Sequence, residues 1–149
     1  SVFPCPAYYA AKSAAIAMYT LRKRPTRSIV DDPRVLTAPA DPYRVGRPYY
    51  DRGAGLLELP IGVTRDFSGR LPYIGTNLVL GGETVARQLT RLIAGRSFVN
   101  LELHGIDASD AQEDGLEALA KHQPDLRKGS HEKLAALRAA IAALRDHGY

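Results

Sequence analysis

The sequence predicts an α/β fold built on a parallel sheet. Two observations lead to this prediction: predicted strands alternate with predicted helices along the chain, and the two clearest strands are nearly continuous apolar runs. The chain has 149 residues, enough for one domain with a single core. Because two parallel strands leave their outer edges unpaired, we expect further strands to come from polypeptide outside this sequence.

The first half of the chain predicts one helix, a long loop and a strand. The helix is expected from Ala7 to about Arg24, where apolar residues recur at helical spacing, and Pro25 ends it. Residues 25–55 are rich in proline and predict a long loop with room for one short strand. The apolar residues 56–61 predict a strand buried on both faces.

The second half predicts more regular structure. A helix is expected over residues 81–94, followed by a strand over residues 97–103. Ser109 or Asp110 is suited to cap a further helix, and Ser130 to cap the last one. The residues expected to face the core are Val85, Leu89 and Leu92 in the first of these helices, Leu116 and Leu119 in the second, and Leu134, Leu137, Ile141 and Leu144 in the last.

Composition and charge narrow the classes of function. No run of 18 apolar residues is present, which excludes a membrane-spanning helix, and the one cysteine, Cys5, excludes an intrachain disulfide. The net charge of +4 is concentrated in residues 1–50, which hold eight Lys/Arg against three Asp/Glu. The basic cluster 22–24 lies at a predicted helix end, where cations favour the macrodipole; binding to nucleic acid is the weaker alternative. The chain begins at Ser1 without a methionine, so we expect a removed leader or a longer protein.

Polar residues interrupt both predicted strands. Asn100, Glu102 and His104 share one face of the strand over residues 97–103, because alternate strand residues point the same way. Glu58 interrupts the other strand in the same manner. A buried carboxylate costs several kcal/mol unless it is paired or protonated, so these residues predict a polar cleft.

His104 is the leading candidate for a catalytic residue. It ends its predicted strand, and ligands of parallel α/β folds bind beyond the carboxyl ends of strands. A histidine there can act as general acid or base, although a histidine that only caps the strand fits the pattern equally well. Asp107 and Asp110 follow closely and could orient the ring or bind a cation; the alternative is a turn with a helix cap.

The remaining candidates favour structural roles. His122, His131 and His147 have no metal-ligand spacing and are expected on the solvated surface. Cys5 has no basic partner in the sequence, which favours an inert residue. The Gly81-Gly82 pair lacks the rest of a phosphate-binding loop.

Several segments resemble the C-terminal part of the polysaccharide deacetylase family, the NodB-homology domains of carbohydrate esterase family 4. The matching segments are SVFPCPAYY (1–9), LELPI (57–61), RLPYIGT (70–76), NLELHGID (100–107), QPDL (123–126) and HGY (147–149). The resemblance covers nearly the whole chain, and the segments occur in the family's order. It implies a distorted parallel (β/α) barrel that removes acetyl groups from N- or O-acetylated sugars with a divalent metal such as zinc.

The resemblance also implies roles for particular residues. His104 matches the histidine that protonates the leaving group, and Pro6, Ala7 and Tyr8 resemble the groove motif whose backbone N–H stabilises the oxyanion. Glu58 falls beside the groove. The motif's arginine is replaced by Pro4, and the family's metal-binding and base motifs are not present in the sequence.

Metal ligands are therefore expected outside this chain, in a missing N-terminal part of the domain that is either covalently joined or a separate chain, and residues 1–149 alone are expected to be inactive. The substrate partner implied is an acetylated carbohydrate. Two alternatives stay open: a non-catalytic relative that binds glycan, and a protein that binds anionic partners through its basic first half.

Overall fold

A computed structural model describes residues 38–65 and 70–149 of the protein. These residues form a small mixed α/β domain with two α-helices and a two-stranded antiparallel sheet. The predicted α/β class is confirmed at this level, while the parallel barrel stays a prediction. The predicted helix over residues 7–24, with Cys5 and the groove residues Pro6, Ala7 and Tyr8, lies outside the described residues.

The two strands form a β-hairpin in which β1 spans Tyr43–Val45 and β2 spans Arg52–Glu58. The described part of the predicted long loop thus contains β1 and the first residues of β2. The prediction that the strand at 56–61 is buried on both faces is wrong, because every residue of β2 is exposed, with Leu56 at 81%. Among the described residues β2 pairs only with β1, and a two-stranded ribbon cannot cover its own faces.

Helix α1 spans Gly75–Ile93, six residues longer at its start than the sequence predicts. Gly82 interrupts it with a φ of 71° and a ψ of −176°, a conformation that glycine adopts without a Cβ penalty. The helix therefore continues through a kink that the Gly81-Gly82 pair marks in the sequence. Of the predicted inward residues, Val85 lies exposed at 37%, while Leu89 packs partly buried against the core.

Helix α2 spans Ser130–Asp146, as predicted, and Gly148 follows its end. Of the predicted leucine stripe, Leu137 is buried and Leu144 packs partly buried against the core, whereas Leu134 and Ile141 are exposed. The buried residues are instead mostly alanines: Lys133, Ala136, Leu137, Ala139, Ala140 and Ala143. Small side chains let the backbones of α1 and α2 approach closely, so this face is the one that packs.

The core lies between the two helices, with Tyr73 at its centre. Tyr73 is fully buried and packs with Leu78 and Ile93 of α1. Its hydroxyl lies 2.6 Å from Oγ1 of Thr90, and that Oγ1 donates to the carbonyl of Ala86 at 2.8 Å. The single hydroxyl proton of Thr90 is thereby committed, so the Tyr73 hydroxyl is the donor in their shared hydrogen bond.

Two predicted elements do not form. Residues 97–103 form no regular strand, and within the described residues they make a single bridge, between Glu102 and Ile74. The helix predicted after Asp110 is a series of turns, in which Gly115 has a φ of 67°. Oδ1 of Asp110 accepts the N–H groups of Gln112 and Glu113, the bonds that a helix N-cap makes, so the predicted cap forms although no regular helix follows it. No helix of the described chain is long and apolar enough to cross a membrane.

Candidate functional site

The candidate site lies where the extended segment 98–104 meets the start of α1. The N–H of Gly62 donates to the carbonyl of Asn100 at 2.7 Å, and the N–H of Gly75 donates to the carbonyl of Glu102 at 2.8 Å. These bonds hold the segment between Gly62 on one side and Gly75, the first residue of α1, on the other. The bridge between Ile74 and Glu102 is parallel, so the segment runs alongside the approach to the helix.

His104 and Asp107 are joined by reciprocal hydrogen bonds around a 3-10 helical turn at Gly105–Asp107. The N–H of His104 donates to Oδ2 of Asp107 at 2.7 Å, and the N–H of Asp107 donates to the carbonyl of His104 at 2.9 Å. Asp107 is 1% exposed. The predicted turn with a capping carboxylate is therefore present, and it places a buried carboxylate directly behind the histidine.

The Asp107 carboxylate also packs against the N-terminus of α1. Oγ1 of Thr76 lies at 3.3 Å from Oδ1, and Oδ2 lies so close to Gly75 that a Cβ there would overlap it. The first N–H groups of a helix carry partial positive charge, which stabilises a carboxylate at this end. Helix α1 thus accommodates the buried charge of Asp107.

The His104 ring lies between two carboxylates. Its Nδ1 is 3.8 Å from Oδ2 of Asp107, and its Nε2 is 3.7 Å from Oε1 of Glu102. The side chain is 58% exposed. The backbone N–H of His104 is bonded to Asp107, one ring nitrogen faces that buried carboxylate, and the ring is open to solvent. This arrangement allows the ring to exchange a proton with an approaching molecule.

Two other predicted site residues, Asn100 and Glu58, make their described contacts away from the His104 ring. The Nδ2 of Asn100 donates to the carbonyl of Leu59 at 3.0 Å, so its amide links two backbone segments. Glu58 ends β2 opposite Tyr43 in the register of the hairpin. Burial, with a smaller contribution from Glu58, raises the pKa of Tyr43 above 10.0. The contacts described for Glu58 are therefore with Tyr43 and not with His104.

Asp110 acts as a cap for two successive segments. Its Oδ1 accepts from the N–H of Gln112 and of Glu113, and its Oδ2 accepts from the N–H of Ser130 at 3.1 Å. These backbone donors, with Gln112 first, hold the pKa of Asp110 below 3.8. Ser130 does not cap α2 with its own hydroxyl, which donates to Oε2 of Glu113 instead.

The remaining histidines lie apart from the His104 site. His122, His131 and His147 are exposed, as predicted. Within residues 38–65 and 70–149, no three His, Cys, Asp or Glu side chains are grouped so that they could hold a metal ion. These residues do not fit a metal centre, and we derive no chemical step through one.

Sequence reasoning missed three residues that shape the site. Gly75 and Thr76 lie in a segment that the resemblance covers, but nothing in their pattern indicated contact with Asp107. Lys133 is fully buried, and its Nζ donates to the carbonyls of Ile106 and Ser109. A lysine on an otherwise apolar helix face was the available signal.

A comparison of the chain with protein-family models, with curated proteins and with solved structures finds no match in any of the three.

Proposed function

We propose that this chain supplies the general acid of a polysaccharide deacetylase-like hydrolase, which removes acetyl groups from an N- or O-acetylated sugar, and that His104 is that acid. The observation that carries the proposal is the buried Asp107 behind an exposed histidine. It is supported by the resemblance of residues 100–107 to the family's histidine motif.

In this reaction a water oxygen would bond to the acetyl carbon, the bond between that carbon and the sugar nitrogen or oxygen would break, and the leaving atom would take up a proton while acetate is released. His104 would donate that proton from Nε2, the nitrogen that faces Glu102 rather than the buried Asp107. Asp107 would hold the ring through its proximity to Nδ1 and through the 2.7 Å hydrogen bond from the His104 N–H. The resemblance assigns the metal, its ligands and the base to residues outside this chain, and the oxyanion contact to Pro6, Ala7 and Tyr8.

The test is acetate release from acetylated oligosaccharides by the complete enzyme that contains this chain. Replacing His104 by Ala or Gln should lower kcat by about 10²-fold or more, the usual contribution of a general acid. The exposed His131 on α2 provides a matched control, and His131→Ala should leave kcat unchanged. A His104→Ala enzyme within about threefold of wild type would rule out the acid role.

A non-catalytic, glycan-binding relative is the second candidate, favoured by Pro4 at the position where the groove motif has an arginine. In that case the complete protein should bind acetylated oligosaccharides in calorimetry without releasing acetate. Acetate release by wild type that depends on His104 would exclude this candidate.

A further inference from the structure

Lys133 is a buried lysine whose ammonium group contacts the loop that follows His104. It lies in the first turn of α2 at 0% exposure. Its Nζ donates to the carbonyl of Ile106 at 2.8 Å and also to the carbonyl of Ser109. Both carbonyls belong to the loop that follows His104.

The buried position of Lys133 favours an apolar side chain unless the ammonium group finds hydrogen-bond acceptors there. Lys133 shares the buried face of α2 with Ala136, Leu137 and Ala140. Burying an ammonium group is unfavourable unless its protons find acceptors, and an aliphatic side chain would avoid that cost. The two carbonyls of the loop are acceptors of this kind, so the ammonium is matched to the loop rather than to the core.

Successive carbonyls of the loop each accept a hydrogen bond. The His104 carbonyl accepts from the N–H of Asp107, and the Gly105 carbonyl accepts from the N–H of Ala108. Lys133 supplies the donor to the next carbonyl, that of Ile106, and to Ser109 beyond the turn. Cations satisfy carbonyls at the C-terminal ends of helical turns well, because partial negative charge collects there.

The same end of α2 binds the loop at a second point. The N–H of Ser130 donates to Oδ2 of Asp110 at 3.1 Å. Lys133 and Ser130 lie within one turn of each other, so the first turn of α2 holds the loop on both sides of Ser109.

We propose that Lys133 is the positioning residue of the site: by holding the 105–109 loop against α2, it keeps Asp107 behind His104 and fixes the direction of the imidazole ring. The catalytic meaning of this inference rests on the proposed function. The positioning itself can be tested on this chain without an activity assay.

The first test is amide hydrogen exchange in Lys133→Met, which keeps an unbranched side chain one atom shorter than lysine and removes the donors. The N–H groups of His104 and Asp107 should exchange about tenfold faster or more, because the loop opens locally. The N–H groups of Ala86 and Thr90 within α1 should change by less than about twofold. Lys121→Met, at an exposed lysine, is the control and should change neither set.

Two results would overturn the inference. Loop amides that exchange at the wild-type rate would show that Lys133 does not hold the loop. An equal acceleration in the loop and in α1 would show only a loss of global stability. If Lys133→Met fails to fold, Lys133→Arg, which keeps donors for both carbonyls, must fold and protect the loop amides, and faster loop exchange in it would also overturn the inference.

The second test uses the complete enzyme and separates this inference from the proposed function. Lys133→Met should lower kcat by about tenfold or more with KM within about twofold of wild type, since a misdirected acid slows chemistry more than binding. Lys133→Arg should recover most of the loss. If His104→Ala is fully active while Lys133→Met loosens the loop, the proposed function fails and the positioning stands. If His104→Ala is inactive while loop exchange is unchanged, the positioning fails alone.

Discussion

Oδ2 of Asp107 accepts a hydrogen bond from the backbone N–H of His104 at 2.7 Å and lies 3.8 Å from the Nδ1 of the same residue. One buried oxygen therefore contacts both the backbone and the ring of the histidine. The backbone hydrogen bond fixes the position of the His104 main chain, and the ring faces the same oxygen. The direction of the side chain is therefore coupled to the shape of the turn. Changes that move the Asp107 carboxylate should be felt at the ring.

Asp107→Asn should destabilise the domain by about 1–3 kcal/mol, because a charge-assisted bond is weakened and a buried carboxylate is lost from the helix N-terminus. Urea unfolding measures the change. Asp114→Asn is the matched control: Oδ2 of Asp114 also accepts a backbone N–H at 2.7 Å, from Asp110, but at an exposed site. Equal losses in the two variants would contradict the special role of Asp107.

Gly75→Ala should destabilise the domain although alanine is the better helix former. The added Cβ would overlap the Asp107 carboxylate and approach Leu103 to 2.8 Å. Overpacking of this kind costs about 1–3 kcal/mol, more than the ~1 kcal/mol that alanine gains over glycine in a helix. Thermal unfolding measures the net change.

Gly105→Ala provides the control for this prediction. Gly105 lies in the same loop, and a Cβ there meets no atom within 4 Å. Its stability should stay within about 0.5 kcal/mol of wild type. A Gly75→Ala domain as stable as Gly105→Ala would show that the carboxylate can move away without cost.

Asp110 should make stability depend on pH in the acid range. Its folded-state pKa lies below the ordinary 3.8, because the N–H of Gln112 is the first of three backbone donors to its carboxylate. A lowered pKa contributes stability above the ordinary value, and that contribution is lost as the pH falls through the folded-state pKa. Asp110→Asn should therefore differ from wild type above about pH 4 and converge with it at lower pH.

Urea unfolding of both proteins across this range tests the sign. Glu117→Gln, at an exposed side chain, is the control and should follow the wild-type curve. A gap between wild type and Asp110→Asn that widens as the pH falls would contradict the predicted direction.

Helix α2 shows which features of the fold the sequence predicts and which it does not. Gly148 follows the end of α2 as predicted, whereas Ser130, predicted as its N-cap, is the first helical residue and donates its hydroxyl to Glu113 instead. The face that α2 buries depends on the partner helix: Ala136 and Ala140 of the alanine row are buried, while Leu134 of the predicted row is exposed. Hydrophobic spacing identifies both rows and cannot choose between them.

In the hairpin and in the candidate site, too, local features are predictable from the sequence and long-range contacts are not. The run at 56–61 is apolar enough for a strand buried on both faces, but burial depends on what packs against it, and Leu57 of β2 is 59% exposed. The closeness of Asp107 to His104 was expected from their spacing, since three residues make one turn. The contact of Lys133 with that turn joins residues 24 to 27 positions apart, which local patterns do not indicate.

Tyr73→Phe should lower stability by about 1 kcal/mol at neutral pH, because the buried Thr90 oxygen loses its donor. Burial raises the pKa of Tyr73 above 10.0. A raised pKa contributes stability that is complete below the ordinary value and is lost as the pH rises through the folded-state pKa. Wild type should therefore lose stability faster than Tyr73→Phe above about pH 10, where the unfolded tyrosine ionises and the buried one does not.

Tyr149→Phe is the control for this prediction. The Tyr149 hydroxyl accepts from the N–H of Gly95 at an exposed site, so the variant that lacks it should keep the wild-type alkaline slope. Urea unfolding between about pH 9 and 11 measures all three proteins, and parallel curves for wild type and Tyr73→Phe would show that the phenol does not stay neutral in the core.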